Sequence, residues 1–196
     1  MPGQHGLATT GQLREMGWTP AQVRHRRSTI WRSPYPRVVA PHRGPLTAAS
    51  LLTAMALWAG EDGVLTGLVA LRQHGVTTPT PRAAIFLVPA TARAREHGQA
   101  RTVRTTRIPI PSHRDGPLTV SPAARALVDA ACLERVSPRD LEGLSITVLQ
   151  RRMATPQELD RELWQRPDVL VGPVRAGLQA FTRSAWSRPE AVLRRI

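Results

Sequence analysis

The stretch from Thr10 to Arg43 is the part of this sequence that most constrains the fold. It contains two short helical segments joined by a turn at Gly17, and two short β-like runs broken by prolines follow. Thr19-Pro20 supplies an N-cap hydroxyl and a proline at the first helical position, so the second helix is predicted to run from there to about Arg27. This order of elements is typical of a winged helix-turn-helix.

The helical period predicts which side chains of the two helices face a core. In the first helix, which Thr9 and Thr10 can cap, Leu13 and Met16 are expected to point inward. In the second helix, the expected inward stripe is Val23 with the stem of Arg27. The ribbon that follows is predicted as strands at 30–32 and 37–40, with a turn at 33–36.

The charge of this stretch favours a polyanionic partner. It holds seven arginines and one acid, Glu15, and the whole chain carries a formal net charge of +13. All 27 basic residues are arginine, which is typical of a GC-rich genome. Such a bias explains which cation is used but not the excess of cations over acids. Double-stranded nucleic acid is therefore the first candidate partner.

The second helix carries the candidate base-reading residues. Gln22, His25 and Arg26 project away from the predicted inward stripe, and glutamine suits adenine while arginine suits guanine. The remaining arginines of the helix and ribbon are candidates for phosphate contacts, namely Arg24, Arg27, Arg32, Arg37 and Arg43. The alternative is a winged helix used for protein contacts, with a solvated basic face.

The rest of the chain predicts an α+β fold with a mixed helix and short-sheet second domain. Helices are expected at 47–60, 64–75 and 121–133, two more are expected to begin at Ser137 and Thr155, and helical character is expected again at about 174–182; strands are expected at 84–88 and 102–110. The predicted domains are 1–44, 45–183, and 184–196 as the start of a truncated C-terminal helix. The basic stretch from Arg93 to Arg114 either extends a nucleic-acid footprint, binds an acidic partner, or is a solvated hairpin.

No catalytic or metal-binding pattern stands out, so the chain is not predicted to be an enzyme and no cofactor is expected. The six histidines are scattered and the single cysteine, Cys132, has no activating base nearby in sequence. Arg125 and Asp129 are spaced to pair on one helix face, which is interpreted as a structural contact. No signal peptide or membrane span is indicated, so a cytoplasmic location is expected.

Several segments, in this order, resemble the AbiEi-family antitoxins of actinobacteria. HGLATTGQLREMGWTPAQVRHRRSTIWRSPYPRVVA is similar to their N-terminal winged helix, and VLTGLVALRQHGV, AIFLVP and LTVSPAARALVDAA are similar to their second domain. The resemblance covers about residues 5–183. SRPEAVLRRI, with Glu190, resembles the start of the endonuclease-like domain that some relatives carry, so the chain is interpreted as truncated before it.

The resemblance implies a repressor that binds the operator of its own operon and counters a nucleotidyltransferase-type toxin, directly or indirectly. Winged-helix repressors often bind inverted repeats as dimers, so a homodimer on DNA is possible. Two alternatives stay open. One is the DNA-targeting half of a truncated or split very-short-patch-repair-like endonuclease, and the other is an antitoxin that binds its toxin without DNA affinity.

Overall fold

The computed structural model describes the backbone of residues 3–193 and, except at Asp168, the side chains of residues 3–184. The fold is α+β, as predicted, and the chain divides into two compact units. The first unit is Met1–Leu65 with Ala83–Val120, and the second is Thr66–Arg82 with Ser121–Ile196. The predicted boundary after residue 44 therefore falls inside the first unit.

The first unit contains both sheets of the described chain and three helices. In chain order its elements are β1 (Ala8–Thr9), α1 (Thr10–Glu15), α2 (Pro20–Thr29), β2 (Arg32–Tyr35), β3 (Val38–Ala40), α3 (Ala48–Ala59), β4 (Val64–Thr66), β5 (Ala84–Pro89), β6 (Glu96–His97), β7 (Ala100–Thr105), β8 (His113–Asp115) and β9 (Leu118–Val120). Helix α4 (Gly67–Gln73) follows β4 directly and belongs to the second unit.

The N-terminal helices pack on a small antiparallel sheet with the strand order β1-β3-β2. Their apolar cluster consists of Ala8, Leu13, Val23 and Val39, and Trp18 and Trp31 pack against it. The inward orientation of Leu13 and Val23 is confirmed, because each is only 6% exposed.

Two predicted core positions in these helices are wrong. Met16 is 59% exposed, since it is the C-cap of a six-residue helix and the chain turns away at Gly17 with a φ of 89°. Arg27 lies in the last turn of α2 and is exposed, because Val23, one turn earlier, is the residue of α2 that packs into the apolar cluster. The apolar cluster therefore holds α2 through one side chain and leaves most of its surface to solvent.

The ribbon is shifted relative to the sequence prediction. Ser33, Pro34 and Tyr35 lie in β2, whereas they were expected in the turn, and the actual turn is Pro36-Arg37. Pro34 is tolerated because β2 is an edge strand and needs no complete set of N–H donors. Tyr35 is the last residue of β2 and is 4% exposed, so the strand is buried at the end that meets the turn.

The larger sheet has six strands in the order β6-β7-β5-β4-β9-β8, with β5–β7 and β4–β9 parallel. Helix α3 contacts strands of both sheets, including β2 and β5. Two sequence predictions fail here. The start of the predicted helix at 64–75 is strand β4, and the strand predicted at 102–110 is β7, which ends at Thr105.

The second unit is helical in its described part. After α4 it contains α5 (Ala123–Leu133), α6 (Pro138–Gln150), α7 (Pro156–Leu163) and α8 (Asp168–Leu193). Ser137 and Thr155 cap α6 and α7 as predicted. Helix α5 has no side-chain cap, because its N-cap residue is Pro122, while the hydroxyl of the buried Ser121 bonds to Thr66.

Helix α8 runs without a break through residue 184, where a new helix was expected to begin. The side chain of Glu190, which carried the endonuclease resemblance, lies outside the described residues. Within the residues that the structure describes, α8 is the longest helix, and none is both long and apolar enough to cross a membrane.

Candidate nucleic-acid interface

Helix α2 is held at its N-terminus by a capping box. Thr19 Oγ1 accepts a hydrogen bond from the backbone N–H of Gln22 at 3.2 Å, and Gln22 Oε1 accepts from the backbone N–H of Thr19 at 2.9 Å. These bonds satisfy donors that the first helical turn would otherwise leave without partners. The start of α2 is therefore fixed by its own local sequence.

The capping box changes the interpretation of Gln22 as a base-reading residue. A glutamine that recognises adenine uses both its amide oxygen and its amide nitrogen. In this structure the amide oxygen of Gln22 already accepts hydrogen bonds from the backbone N–H and from the hydroxyl of Thr19. Gln22 can offer only its amide N–H groups to a base unless the cap opens.

All residues of α2 except Val23 are exposed, and His25, Arg26 and Thr29 lie on one face of the helix. His25 and Arg26 are exposed, as predicted. Thr29 lies one turn further along the same face and was missed, because the helix was expected to end near Arg27. Its hydroxyl donates to the carbonyl of His25 at 2.9 Å, so its methyl group is what remains for an apolar contact.

Three of the five predicted phosphate-contacting arginines line one open groove at the C-terminal end of α2. The groove has a volume of about 480 Å³ and is lined by Arg27, Ser28, Trp31, Arg32, Ser33 and Arg43. Two of its guanidinium groups are anchored, since Arg43 Nη2 donates to the carbonyl of Ser28 at 2.7 Å and Arg32 Nη1 to that of Gly44 at 3.0 Å. Anchored guanidiniums are preoriented for an anion.

The other two predicted arginines lie elsewhere in the first unit. Arg24 is exposed on α2 and does not line this groove. Arg37 lies in the turn between β2 and β3 and lines a different groove, together with Trp58 of α3. The set proposed from the sequence therefore divides into a cluster of three and two separate positions.

The arginines of α2 and the ribbon keep their positive charge uncompensated. Among the acidic side chains that the structure describes, none forms an ion pair with an arginine between residues 24 and 43. A surface of this kind attracts a polyanion through the sum of its charges. It also gains from releasing the counterions of that polyanion.

Arginine is used in the opposite way in the second unit, around Asp129. Arg125 and Asp129 are 1% and 0% exposed, and Arg125 Nε donates to Asp129 Oδ2 at 2.8 Å. Thr66 Oγ1 and Arg166 Nη2 also donate to this carboxylate, each at 2.8 Å. The pair was expected on a helix face, but it is the centre of a buried network whose carboxylate is fully committed to structure.

The thiol of Cys132, in the second unit, has no feature that would make it a nucleophile. Cys132 is partly exposed, and burial raises the pKa of its thiol above the ordinary value. A raised pKa disfavours the thiolate, which is the reactive form. In the part of the chain that the structure describes, no three His, Cys, Asp or Glu side chains are grouped so that they could hold a metal ion.

Comparison with known proteins gives information on the fold alone. No protein-family model matches the chain, and no curated protein matches it. Among solved structures, it is similar to the crystal structure of the RV2827C protein from Mycobacterium tuberculosis, with a TM-score of 0.59 and 18% sequence identity. The similarity covers 89% of this chain and 72% of that chain.

Proposed function

We propose that this protein is a DNA-binding repressor that uses the surface of α2 and the β2–β3 ribbon to bind an operator. The observation that carries the proposal is the exposed face of α2 beside a groove lined by Arg27, Arg32 and Arg43. A helix in the major groove reads base edges, while neighbouring cations hold phosphates. In this proposal α2 is the recognition helix.

The first unit supports a winged helix-turn-helix interpretation of residues 8–40. The order β1, α1, α2, β2, β3 places a two-stranded ribbon directly after the second helix, where a wing lies in this class of module. Ahead of α1, strand β1 pairs with β3 through Ala8 and Val39, and both residues belong to the apolar cluster of these helices.

The base-reading roles are assigned to His25 and Arg26, with Gln22 contributing if its cap opens. Arg26 is the stronger discriminator, since a bidentate arginine–guanine contact typically contributes about 1–3 kcal/mol of discrimination against other bases. His25 offers a single ring nitrogen to a base edge. Arg24, Arg27, Arg32 and Arg43 contact phosphates in this proposal.

The antitoxin role rests on the resemblance to the AbiEi family rather than on the site. In this role the protein represses an operon that also encodes a nucleotidyltransferase-type toxin, and it acts in the cytoplasm without enzymatic activity. A homodimer on an inverted repeat is the arrangement that winged-helix repressors often use. No cofactor is required by this mechanism.

A mobility-shift assay with the DNA upstream of the protein's own gene tests the proposal. We expect the wild type to retard this duplex and not a shuffled duplex of the same composition. The H25A/R26A double variant is expected to lose at least tenfold in affinity, because it lacks the base contacts. An R82A variant is the control, since Arg82 is exposed in the second unit and its loss also removes one positive charge.

The assay also separates the proposal from its alternatives. Equal binding of the native and shuffled duplexes would reject an operator-binding role. Unchanged binding by H25A/R26A would reject α2 as the recognition helix. A wild type that retards no duplex but co-purifies with the product of a neighbouring gene would favour an antitoxin that acts by protein contact alone.

A further inference from the structure

A second basic groove lies in the first unit, at the turn of the β2–β3 ribbon. It has a volume of about 660 Å³ and runs between the turn at Arg37, the C-terminal end of α3 at Trp58, and the segment from Ala92 to His97. None of these residues lines the groove at the end of α2. The sequence left the role of the basic stretch from Arg93 onward open.

The charge of this groove is predominantly positive. Arg37, Arg93 and Arg95 line it, and Glu96 is the one acid among the lining residues. Glu96 is opposite Arg101 in the register of β6 and β7, so a further cation lies on the neighbouring strand. The groove therefore has three arginines and one acid in its lining, a net positive charge that suits phosphate.

Aromatic packing makes the groove a rigid surface. Arg95 lies 4.9 Å from the ring centroid of Trp58, and its Nη2 donates to the carbonyls of Trp58 and Ala59 at 2.9 and 3.1 Å. Tyr35 of the ribbon packs against Trp58 and His97, at 5.8 and 5.4 Å between ring centroids. The ribbon is thereby fixed to the end of α3 and to β6.

The backbone of Arg37 gives an independent reason to expect a role for its side chain. Its φ is 65°, in the left-handed region that favours glycine. Its carbonyl accepts a hydrogen bond from the N–H of Thr10 at 2.8 Å, a contact that any residue could make. A guanidinium is thus placed at the tip of the ribbon at a conformational cost that glycine would avoid, and such positions cluster at binding sites.

The shape of the groove favours the backbone of a duplex over other anionic ligands. The groove is open, whereas small-molecule sites enclose most of the ligand. Trp58 is 5% exposed and Tyr35 is 4% exposed, so His97 is the one exposed aromatic ring in the groove lining, and a single ring cannot stack a run of bases from a single strand. A continuous phosphodiester backbone needs only the cations of the groove rim.

We propose that this groove binds the phosphodiester backbone of duplex DNA flanking the segment that α2 reads. The inference rests on the proposed function, which it extends to a second contact site outside α2. Arg37 and Arg93 contact phosphates, and Arg95 holds the groove floor to α3. The basic stretch that begins at Arg93 thereby joins the DNA-binding surface.

Salt titrations of DNA affinity with an R37G/R93A variant test the inference. Two duplexes are compared: the shortest one that the wild type binds, and the same duplex extended by about one helical turn, roughly 10 bp, on each side. On the extended duplex the variant is expected to reduce the slope of log K against log salt by about 2, one unit for each phosphate contact. On the short duplex the reduction is expected to be smaller.

The Arg37→Gly change separates binding from stability. Glycine relieves the left-handed backbone, so the R37G single variant is expected to unfold at the same temperature as the wild type or higher. The matched control is R82A/R135A, which removes two exposed cations of the second unit. This control is expected to leave the slope unchanged on both duplexes.

The outcomes distinguish this inference from the proposed function. If the wild type binds the operator and R37G/R93A retains the full wild-type slope on the extended duplex, the groove contact is overturned while the role of α2 stands. If the folded wild type binds no duplex at all, both are overturned. An equal reduction by R82A/R135A also overturns the groove, because the effect would then reflect net charge alone.

Discussion

Helices α2 and α5 carry arginine for opposite purposes, and the contrast begins with how each helix is held. Val23 is the only buried residue of α2, which begins with a capping box and a proline. In α5, eight consecutive residues from Ala123 to Ala130 are buried, and no side chain caps its start. Helix α2 is therefore fixed by local hydrogen bonds, whereas α5 is fixed by packing.

The arginines follow the same division. Those of α2 are exposed and have no acidic partner in the described chain, while Arg125 of α5 is 1% exposed and bonded to Asp129. An uncompensated exposed cation is available to an external anion. A buried cation is committed to the fold, because removing its partner leaves a desolvated charge. The number of arginines therefore does not show which of them can bind an external anion. Their burial and their pairing with acids do.

The largest expected effect is on stability, from the Asp129→Ala change. It removes the buried carboxylate to which Arg125 Nε bonds at 2.8 Å, and breaking a buried pair from one side typically costs about 3–5 kcal/mol of unfolding free energy. Denaturant unfolding measures the change. The control is Asp160→Ala, which removes a 3.9 Å pair with Arg175 and an exposed hydrogen bond from Trp164 Nε1. Because Asp160 and Arg175 are 47% and 31% exposed, this variant is expected to cost about 1 kcal/mol. Equal losses in the two variants would contradict a structural role for the buried network.

An intermediate effect is expected from the Arg26→Lys change in α2, measured as operator affinity. Lysine keeps the charge but lacks the planar fork for guanine, so the expected loss is about 1–3 kcal/mol with an unchanged salt slope. Arg27→Lys is the matched variant one position along, where a phosphate contact tolerates lysine and affinity is expected to stay within about twofold. If the two variants lose affinity equally, base reading by Arg26 is excluded.

The smallest expected effect is from Thr19→Ala, which removes the cap of α2. A lost N-cap side chain typically costs about 1 kcal/mol of unfolding free energy. Thr19→Ser retains the hydroxyl and is expected to be close to the wild type. Because Thr19 and Gln22 form one capping box, T19A/Q22A should cost less than the sum of the single changes. Additive losses would show that Gln22 does not act through the cap.

The sequence predicted best what local chemistry determines. The starts of α2, α6 and α7 were found from Thr19, Ser137 and Thr155, each followed by a proline, because an N-cap needs only its next three residues. The capping role of Gln22 was also readable, since a threonine with a glutamine three residues later is its signature. The same glutamine also fits base reading, and only the structure shows that its amide oxygen is bonded within the cap.

Elements that depend on distant partners were not predictable in this way. Strand β1 has two residues and exists through its pairing with β3, about 30 residues further along. Strand β4 has three buried residues ahead of an apolar helix, and a short apolar run cannot be distinguished from helix by periodicity. The burial of Arg125 and Asp129 depends in part on Arg166, 37 residues after Asp129. Their spacing was visible, but their environment was not.

A hydroxyl-radical footprint on the DNA upstream of the protein's own gene tests the central claim most directly. We expect the wild-type protein to protect a DNA segment that flanks a major-groove site. At the same protein concentration, H25A/R26A is expected to protect no segment. Fully folded wild-type protein that protects no segment at low salt would contradict it. Protection that is identical in the wild type and in H25A/R26A would contradict the assignment of the exposed α2 surface as the part of the molecule that reads DNA.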